Sequence, residues 1–255
     1  MPDFVGGASP LSTMGATNFA KTTNTGLPEM WSVLSVETSG CGFLPDKRPK
    51  ILFERHKFHA LTGGAFDRSH PDISQPSAGG YGPGGANQYN RLAEAIALDR
   101  PNALKSASWG IGQIMGLNHK QAGFEDVETM ASTMQDSEDA QLSAMASFLD
   151  TNHLAGPLAR HEWTNFALGY NGTNFAKNNY DGLLQQFFGH FTNGPLPDLT
   201  IRTVQVLLTY QGIDPRGIDG VLGKGTQSAI RQFQALNGMT QTGKIDNALL
   251  KALSA

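Results

Sequence analysis

The sequence predicts a mostly α, α+β domain with one small extended element, followed by a small three-helix C-terminal domain. Three observations carry this. Apolar residues recur at spacings of three and four along most of the chain, the period of helices that bury one face. One stretch, Lys50 to Phe58, alternates instead, with Ile51, Phe53 and Arg55 on one side and Leu52, Glu54 and His56 on the other. Then Thr192-Asn193-Gly194-Pro195-Leu196-Pro197 breaks the pattern with proline and glycine, and an independent set of helices begins.

Taken in order, Met1 to Thr13 lacks periodicity and reads as a loose lead-in, and Met14 to Asn24 reads as a short helix. Leu27 to Glu37 is the next helix: Pro28 suits a first helical position, and Gly40 and Gly42 suit the stop. Asp67 to Asn87 is rich in Gly, Pro, Ser and Asn, a long loop of the kind that is functional or disordered. Helices are expected over Tyr89–Leu98, Pro101–Ser106, Glu125–Met134, Ser137–Thr151, Trp163–Tyr170 and Tyr180–Phe191, with Asp136 or Ser137 as an N-cap. After the break, Ile201, Val204, Leu207 and Leu208 form one helix face. Thr226 is expected to cap a helix carrying Ile230, Phe233 and Leu236, and Asp246 one carrying Leu249, Leu250 and Leu253. The division is thus 1–192, a linker 193–198, and 199–255.

Composition narrows the function classes. The chain has 255 residues, enough for one mid-sized domain plus a small one. No run approaches a membrane span, so no stable membrane insertion is expected. Met1 to Gly15 lacks a basic region followed by an apolar one, so no signal peptide is expected. A single cysteine, Cys41, allows no intramolecular disulfide, which fits a chain made in a cytoplasm. A net charge of −3 argues against nucleic acid as a partner. The charge is uneven: residues 197–255 carry six Lys/Arg and four Asp, and the rest thirteen Lys/Arg and eighteen Asp/Glu. The small C-terminal part is the one that sits more easily on an anionic polymer.

The residue that draws attention is Glu37. Met30, Val33, Leu34 and Glu37 share one helix face, so the carboxyl points where the apolar residues point. A desolvated carboxyl holds its proton near neutral pH and can act as a general acid. An exposed glutamate at a frayed helix end is the alternative. Second carboxylates are available at Asp46, Glu54 and Asp67, with Glu54 on the strand-like segment just after the Glu37 helix; its alternative role is as a partner for Lys50, Arg55 or Lys57. Trp109 to Met115 mixes an aromatic ring, two glycines and Gln113, types that pack on sugar rings and hydroxyls, or else simply form core and turn. His56 and His59 lack a third ligand at a diagnostic interval, so no metal and no cofactor are expected. Cys41 in a glycine turn reads as packed rather than nucleophilic.

Three segments in combination resemble the phage N-acetylmuramidase family, the lysozyme-like endolysins: Ser35-Val36-Glu37-Thr38-Ser39-Gly40-Cys41-Gly42-Phe43, Pro49-Lys50-Ile51-Leu52-Phe53-Glu54-Arg55-His56, and Ser108-Trp109-Gly110-Ile111-Gly112-Gln113-Ile114-Met115-Gly116. The likeness spans roughly residues 15 to 190. It implies a lysozyme-like α+β fold that hydrolyses the MurNAc–GlcNAc β-1,4 bond of peptidoglycan, with Glu37 as acid and Glu54 at the family's second acidic position. It also implies a cleft lined by Trp109 and Gln113, with Tyr170 and Asn171 as further binding candidates from the wider superfamily's tyrosine motif. Residues 199–255 resemble the peptidoglycan-binding module of cell-wall hydrolases through Asp219-Gly220, Gly223, Thr226, Phe233-Gln234 and Gly238. A fainter echo sets Gly243-Lys244-Ile245-Asp246-Asn247 against Gly217-Ile218-Asp219-Gly220, an internal half-repeat. The whole then reads as an endolysin acting as a monomer. It is held in the host cytoplasm until a separate holin-type protein opens the membrane, and then acts at the wall. A lytic transglycosylase and an inactive wall-binding virion protein are the rival readings.

Overall fold

A computed structural model describes residues 4–38 and 40–254; Ser39, inside the Glu37 segment, lies outside them. Helices α1 (Thr13–Thr23) and α2 (Leu27–Thr38) open the chain, and β1 (Ile51–Phe53) and α3 (Arg55–Thr62) follow. Next come α4 (Asn87–Lys105), β2 (Ala107–Trp109), β3 (Ile114–Met115), α5 (Val127–Thr133), α6 (Glu138–Thr151), α7 (Ala155–Ala159), α8 (Trp163–Asn171) and α9 (Tyr180–Asn193). The C-terminal part is α10 (Leu199–Tyr210), α11 (Lys224–Leu236) and α12 (Asn247–Leu253). The fold class is as expected: mostly helical, with one small antiparallel sheet in the order β1-β2-β3 and a small three-helix unit behind it.

Local signals place most boundaries. Ser12, Asp126, Ser137, Asp198 and Asp246 cap α1, α5, α6, α10 and α12 by accepting a backbone N–H two or three residues into each helix. The two helices expected before Trp109 form α4, broken at Asp99, whose φ of −157° and ψ of 94° are extended, just before Pro101. Two cores result. The larger holds Met30, Val33, Leu34, Phe53, Leu92, Leu104, Leu142 and Leu149. The smaller holds Val204, Leu208, Ile230, Phe233, Leu249 and Leu253.

Four expectations need correction. The strand ends at Phe53, not Phe58, and Arg55–Thr62 is helical; the alternation there is equally a Phe58-anchored helix, and Phe58 is fully buried. The lead-in from Phe4 onward is packed: Phe4 lies 5.5 Å from both Tyr89 and Trp109, and Ala8 and Leu11 are buried. One aromatic anchor and backbone bonding fix this segment, and neither leaves a period in the sequence. Thr226 is not a cap; Gly223 is, and the buried Thr226 hydroxyl accepts from Gln205. Trp109 is no sugar platform: it is 1% exposed, and its indole N–H donates to the Leu104 carbonyl.

The half-repeat is real but in another register. The buried amide of Gln205 accepts the Gly220 N–H at 2.8 Å, and that of Gln234 accepts the Gly243 N–H at 2.9 Å. Three residues after each glycine stands a helix N-cap, Gly223 or Asp246. Gly220 therefore matches Gly243, and both take a left-handed φ, 70° and 66°. Asp219 accepts from Gln205 and from the Val221 N–H, so Asp219, Gly220, Thr226, Phe233 and Gln234 build the unit from within.

Trp109 supplies the test of this core assignment. Trp109→Ala is expected to lower the unfolding free energy by about 3–5 kcal/mol, read by urea titration. A substitution with unchanged stability and weakened sugar binding would return Trp109 to the cleft.

Candidate active site

The geometry starts with α2. Met30, Val33 and Leu34 are buried, and they carry Glu37 to the wall of a cavity of about 300 Å³ that Thr38, Leu44, Lys50, Ile51, Leu52, Gly85 and Gln113 also line. Glu37 keeps part of its surface open, yet protein surrounds its carboxyl closely enough that lost hydration dominates. Burial pushes its pKa up to about 7, against a hydrogen bond from the Asn171 side chain that pulls it down. Its position in the last turn of α2, at the negative end of the helix dipole, also disfavours the ionised form.

Two turns hold this helix end. Gly40 has a φ of 79°, and its N–H donates to the Leu34 carbonyl, closing the helix. Thr38 donates its hydroxyl to the Ile111 carbonyl, and the Lys50 ammonium donates to the Thr38 carbonyl at 2.9 Å. Lys50 thus serves the end of α2 rather than Glu54. It stands within the motif beginning at Pro49, but only the fold brings it back onto the Glu37 helix.

The Gly110-to-Gln113 turn forms the facing wall. The buried Gln141 amide accepts the Ile111 N–H at 2.7 Å and donates to the Met134 carbonyl. A Cβ on Gly110 would meet Gln141 at 2.6 Å, and one on Gly42 would meet both Gln141 and Ile111. These glycines admit α6, not a ligand. Gln113 has a left-handed φ of 48°, and its amide accepts from the Ser108 hydroxyl while donating to the Gly110 and Lys50 carbonyls. Its side chain holds the turn whose surface faces the cavity. Tyr170 donates its hydroxyl to the Gly112 carbonyl at 2.6 Å, with its ring stacked on Phe166. Asn171, next in the helix, reaches Glu37.

Of the other carboxylates, Asp46 is bound to Arg48, and Asp67 accepts from Ser74 and faces His59 at 2.8 Å. Glu54 stands at the N-terminus of α3, half-buried, with its N–H on the Ser106 carbonyl and its Oε2 3.3 Å from His56 Nδ1. Burial, the dominant effect, holds the His56 imidazole below its ordinary value, and the Glu54 charge opposes this. Sequence reasoning missed two tyrosines that feel the charge of these acids. The Tyr81 phenol is pushed up by burial and then by Glu54, and the Tyr180 phenol by burial, then Glu37, then Tyr81. Tyr81 sits in the long Gly-rich loop, which is anchored: Gln88 and Arg91 both donate to the Tyr81 carbonyl. Cys41 is buried, and lost hydration pushes its thiol up to about 11, which leaves it inert at neutral pH. Among the described residues no cluster of three metal-ligating side chains forms, and no helix is long and apolar enough to cross a membrane.

Comparison with known proteins finds similarity over both parts of the chain. Residues 26–192 match the family described as N-acetylmuramidase, and residues 198–253 the one described as putative peptidoglycan binding domain. The crystal structure of the Burkholderia AP3 phage endolysin is 34% identical, with a TM-score of 0.65, covering 72% of this chain and 71% of that one. SltB3 from Pseudomonas aeruginosa, solved with NAG-anhNAM-pentapeptide, is 16% identical with a TM-score of 0.31, covering 94% of this chain and 80% of that one. Among curated proteins no match is found. With a family match over residues 26–192 and a phage endolysin 34% identical, the chain belongs to the N-acetylmuramidase family of glycoside hydrolases that cleave peptidoglycan.

Proposed function

We propose that Glu37 is the general acid and Glu54 the second carboxylate of an endolysin that hydrolyses the MurNAc–GlcNAc β-1,4 bond. The observation that carries this is Glu37 at the cavity wall with a pKa of about 7. In that state it gives its proton to the leaving glycosidic oxygen as the bond to the anomeric carbon breaks. The sugar cation then takes an oxygen from water, and a second carboxylate either activates that water or first forms the glycosyl intermediate. Glu54 suits the second role because Asp46 is held by Arg48 and Asp67 by Ser74 and His59, while His56, 3.3 Å from Glu54, is kept toward its neutral form by burial. Asn171 orients the acid; Tyr170 and Gln113 shape the facing wall.

The division of labour follows the two cores: residues 1–192 cleave, 193–198 link, and 199–255 hold the enzyme on the wall. The enzyme works as a monomer and does not address nucleic acid. It waits in the host cytoplasm and reaches the periplasm and wall when a separate holin-type protein opens the membrane.

Glu37→Gln is expected to cut lysis of purified peptidoglycan below about a hundredth of wild type with the circular dichroism spectrum unchanged, since the amide has the shape but no proton to give. Higher residual activity removes Glu37 from the role.

The same group sets a pH dependence. The native carboxyl keeps its proton up to about 7, while the unfolded chain releases it near the ordinary value of 4.5. Between these values the native state binds more protons, so this contribution to stability is full below pH 4.5 and is lost as pH rises to 7. Denaturant titrations at pH 5 and 8 should show wild type losing stability relative to Glu37→Gln, on the order of 3 kcal/mol at full span. Activity should fall in parallel above about pH 7. Equal pH profiles of the two proteins would contradict the buried-acid assignment.

Glu54→Gln should lower turnover by orders of magnitude while co-sedimentation with peptidoglycan persists, and wild-type products analysed by mass spectrometry should carry reducing ends. Near-full activity of Glu54→Gln with anhydro-sugar products would replace hydrolysis by the one-acid transglycosylase route.

A further inference from the structure

The C-terminal unit reaches into the larger domain with one side chain. Arg202, on α10, is fully buried, and so is its partner Glu138 at the start of α6. Arg202 Nη1 lies 2.6 Å from one Glu138 oxygen and Nη2 2.7 Å from the other, a bidentate pair. The guanidinium does not stop there. Its Nε donates to the Gly40 carbonyl at 3.0 Å, and Nη2 donates to the same oxygen. Its face lies 5.7 Å from the centre of the Trp31 ring, on the Glu37 helix.

These contacts join Arg202 to α2, at Trp31, and to the turn that closes it, at Gly40. Gly40 closes that helix three residues after Glu37. A Cβ added to Gly40 would meet the Ile218 carbonyl, also of the C-terminal unit, at 3.3 Å. Glu138, steadied by Arg202, accepts the Gly42 N–H at 2.8 Å, and the Gly42 carbonyl accepts from Lys50 N–H at 2.7 Å. Lys50 in turn holds the Thr38 carbonyl beside Glu37. A wall tether needs none of this: a flexible linker and an exposed binding surface would do.

We propose that Arg202 is a positioning residue for the reaction, so that the C-terminal unit completes the catalytic domain by fixing the turn that orients Glu37, in addition to holding the wall. The proposal rests on the assignment of Glu37 as the acid. It predicts that loss of Arg202 slows cleavage of substrates that need no tether. Arg202 also neutralises a buried carboxylate, so a drop in activity on its removal has two sources that must be separated.

The test uses the full chain and soluble glycan fragments of alternating MurNAc and GlcNAc, and compares Arg202→Met, Arg202→Lys and the double variant Glu138→Gln/Arg202→Met. Arg202→Met strands the Glu138 charge and should lower Tm by about 10 °C. The double variant removes that charge and should recover part of the Tm, the amide keeping one acceptor for the two backbone N–H groups that Glu138 serves, but the Gly40 carbonyl still lacks its donor. Its kcat should stay at least about tenfold down with KM within about twofold, the loss expected when a catalytic group is held off its geometry. Arg202→Lys keeps one donor and should fall between. The proposal is overturned if the double variant regains both Tm and kcat, or if Arg202→Met keeps wild-type kcat on soluble fragments. Should Arg202→Met fail to fold, the double variant decides alone. Glu37→Gln runs alongside: if it keeps activity, the acid assignment fails, a result distinct from any Arg202 outcome.

Discussion

The fully buried carboxylate of Glu138 is the constraint around which the rest of this molecule is arranged. An ionised group without water must find charge and hydrogen bonds inside the protein. Glu138 accepts the Leu11 N–H and the Gly42 N–H, each at 2.8 Å, and both arms of Arg202. Those partners stand 127, 96 and 64 positions away in the chain. Burial alone would push the carboxyl up; Arg202 and the two N–H groups override it and hold it below its ordinary range. The lead-in, the turn after the Glu37 helix and the first C-terminal helix therefore meet at one point, and the charge enforces that they do.

The contrast with Glu37 shows how one chain gives two glutamates opposite characters. Both lose hydration. Glu138 gains a guanidinium and two backbone donors and stays ionised, which suits a structural joint. Glu37 gains only the Asn171 side chain against its burial, and the cation in its cavity wall, Lys50, is directed at the Thr38 carbonyl. It stays protonated near neutral pH, which suits a proton donor. The surrounding turns are locked by side chains that do no chemistry: Gln141 on Ile111, Tyr170 on Gly112, Gln113 on its own turn. Such packing is what the proposed acid needs to be held within the tolerance of catalysis.

The small C-terminal core follows the same economy twice. A buried glutamine amide, Gln205 or Gln234, gathers a left-handed glycine and the start of a helix. A core of eight apolar residues among those described is small for a unit of this size, and these satisfied amides fix the turns that a larger core would otherwise hold.

Much of this was legible in the sequence. Helical period, caps and breakers located α1, α2, α5, α6 and α8 to α12, and the proline-glycine break separated the two cores. The burial of Glu37 was legible because Met30, Val33 and Leu34 announce its face, and Glu54 was singled out for its place on the strand-like segment that follows. What the sequence could not show lay in contacts between distant segments. Alternation over Lys50 to Phe58 fits both a strand and a short helix, and only the packing of Phe58 chose. Trp109 and Gln113 have the composition of a sugar site, but the sequence does not say which way a side chain points; in the fold Trp109 is core, while Gln113 lines the cavity with its amide bonded within its own turn. Phe4, Tyr81, Gln141 and Arg202 carry no period and no motif. Sequence alone determined most of the helices and which carboxyl is carried on an apolar face, because those are local properties of spacing. The tertiary structure decided what surrounds that carboxyl and what holds its helix in place, because a pKa and an orientation depend on atoms that are near in space and far apart in the chain.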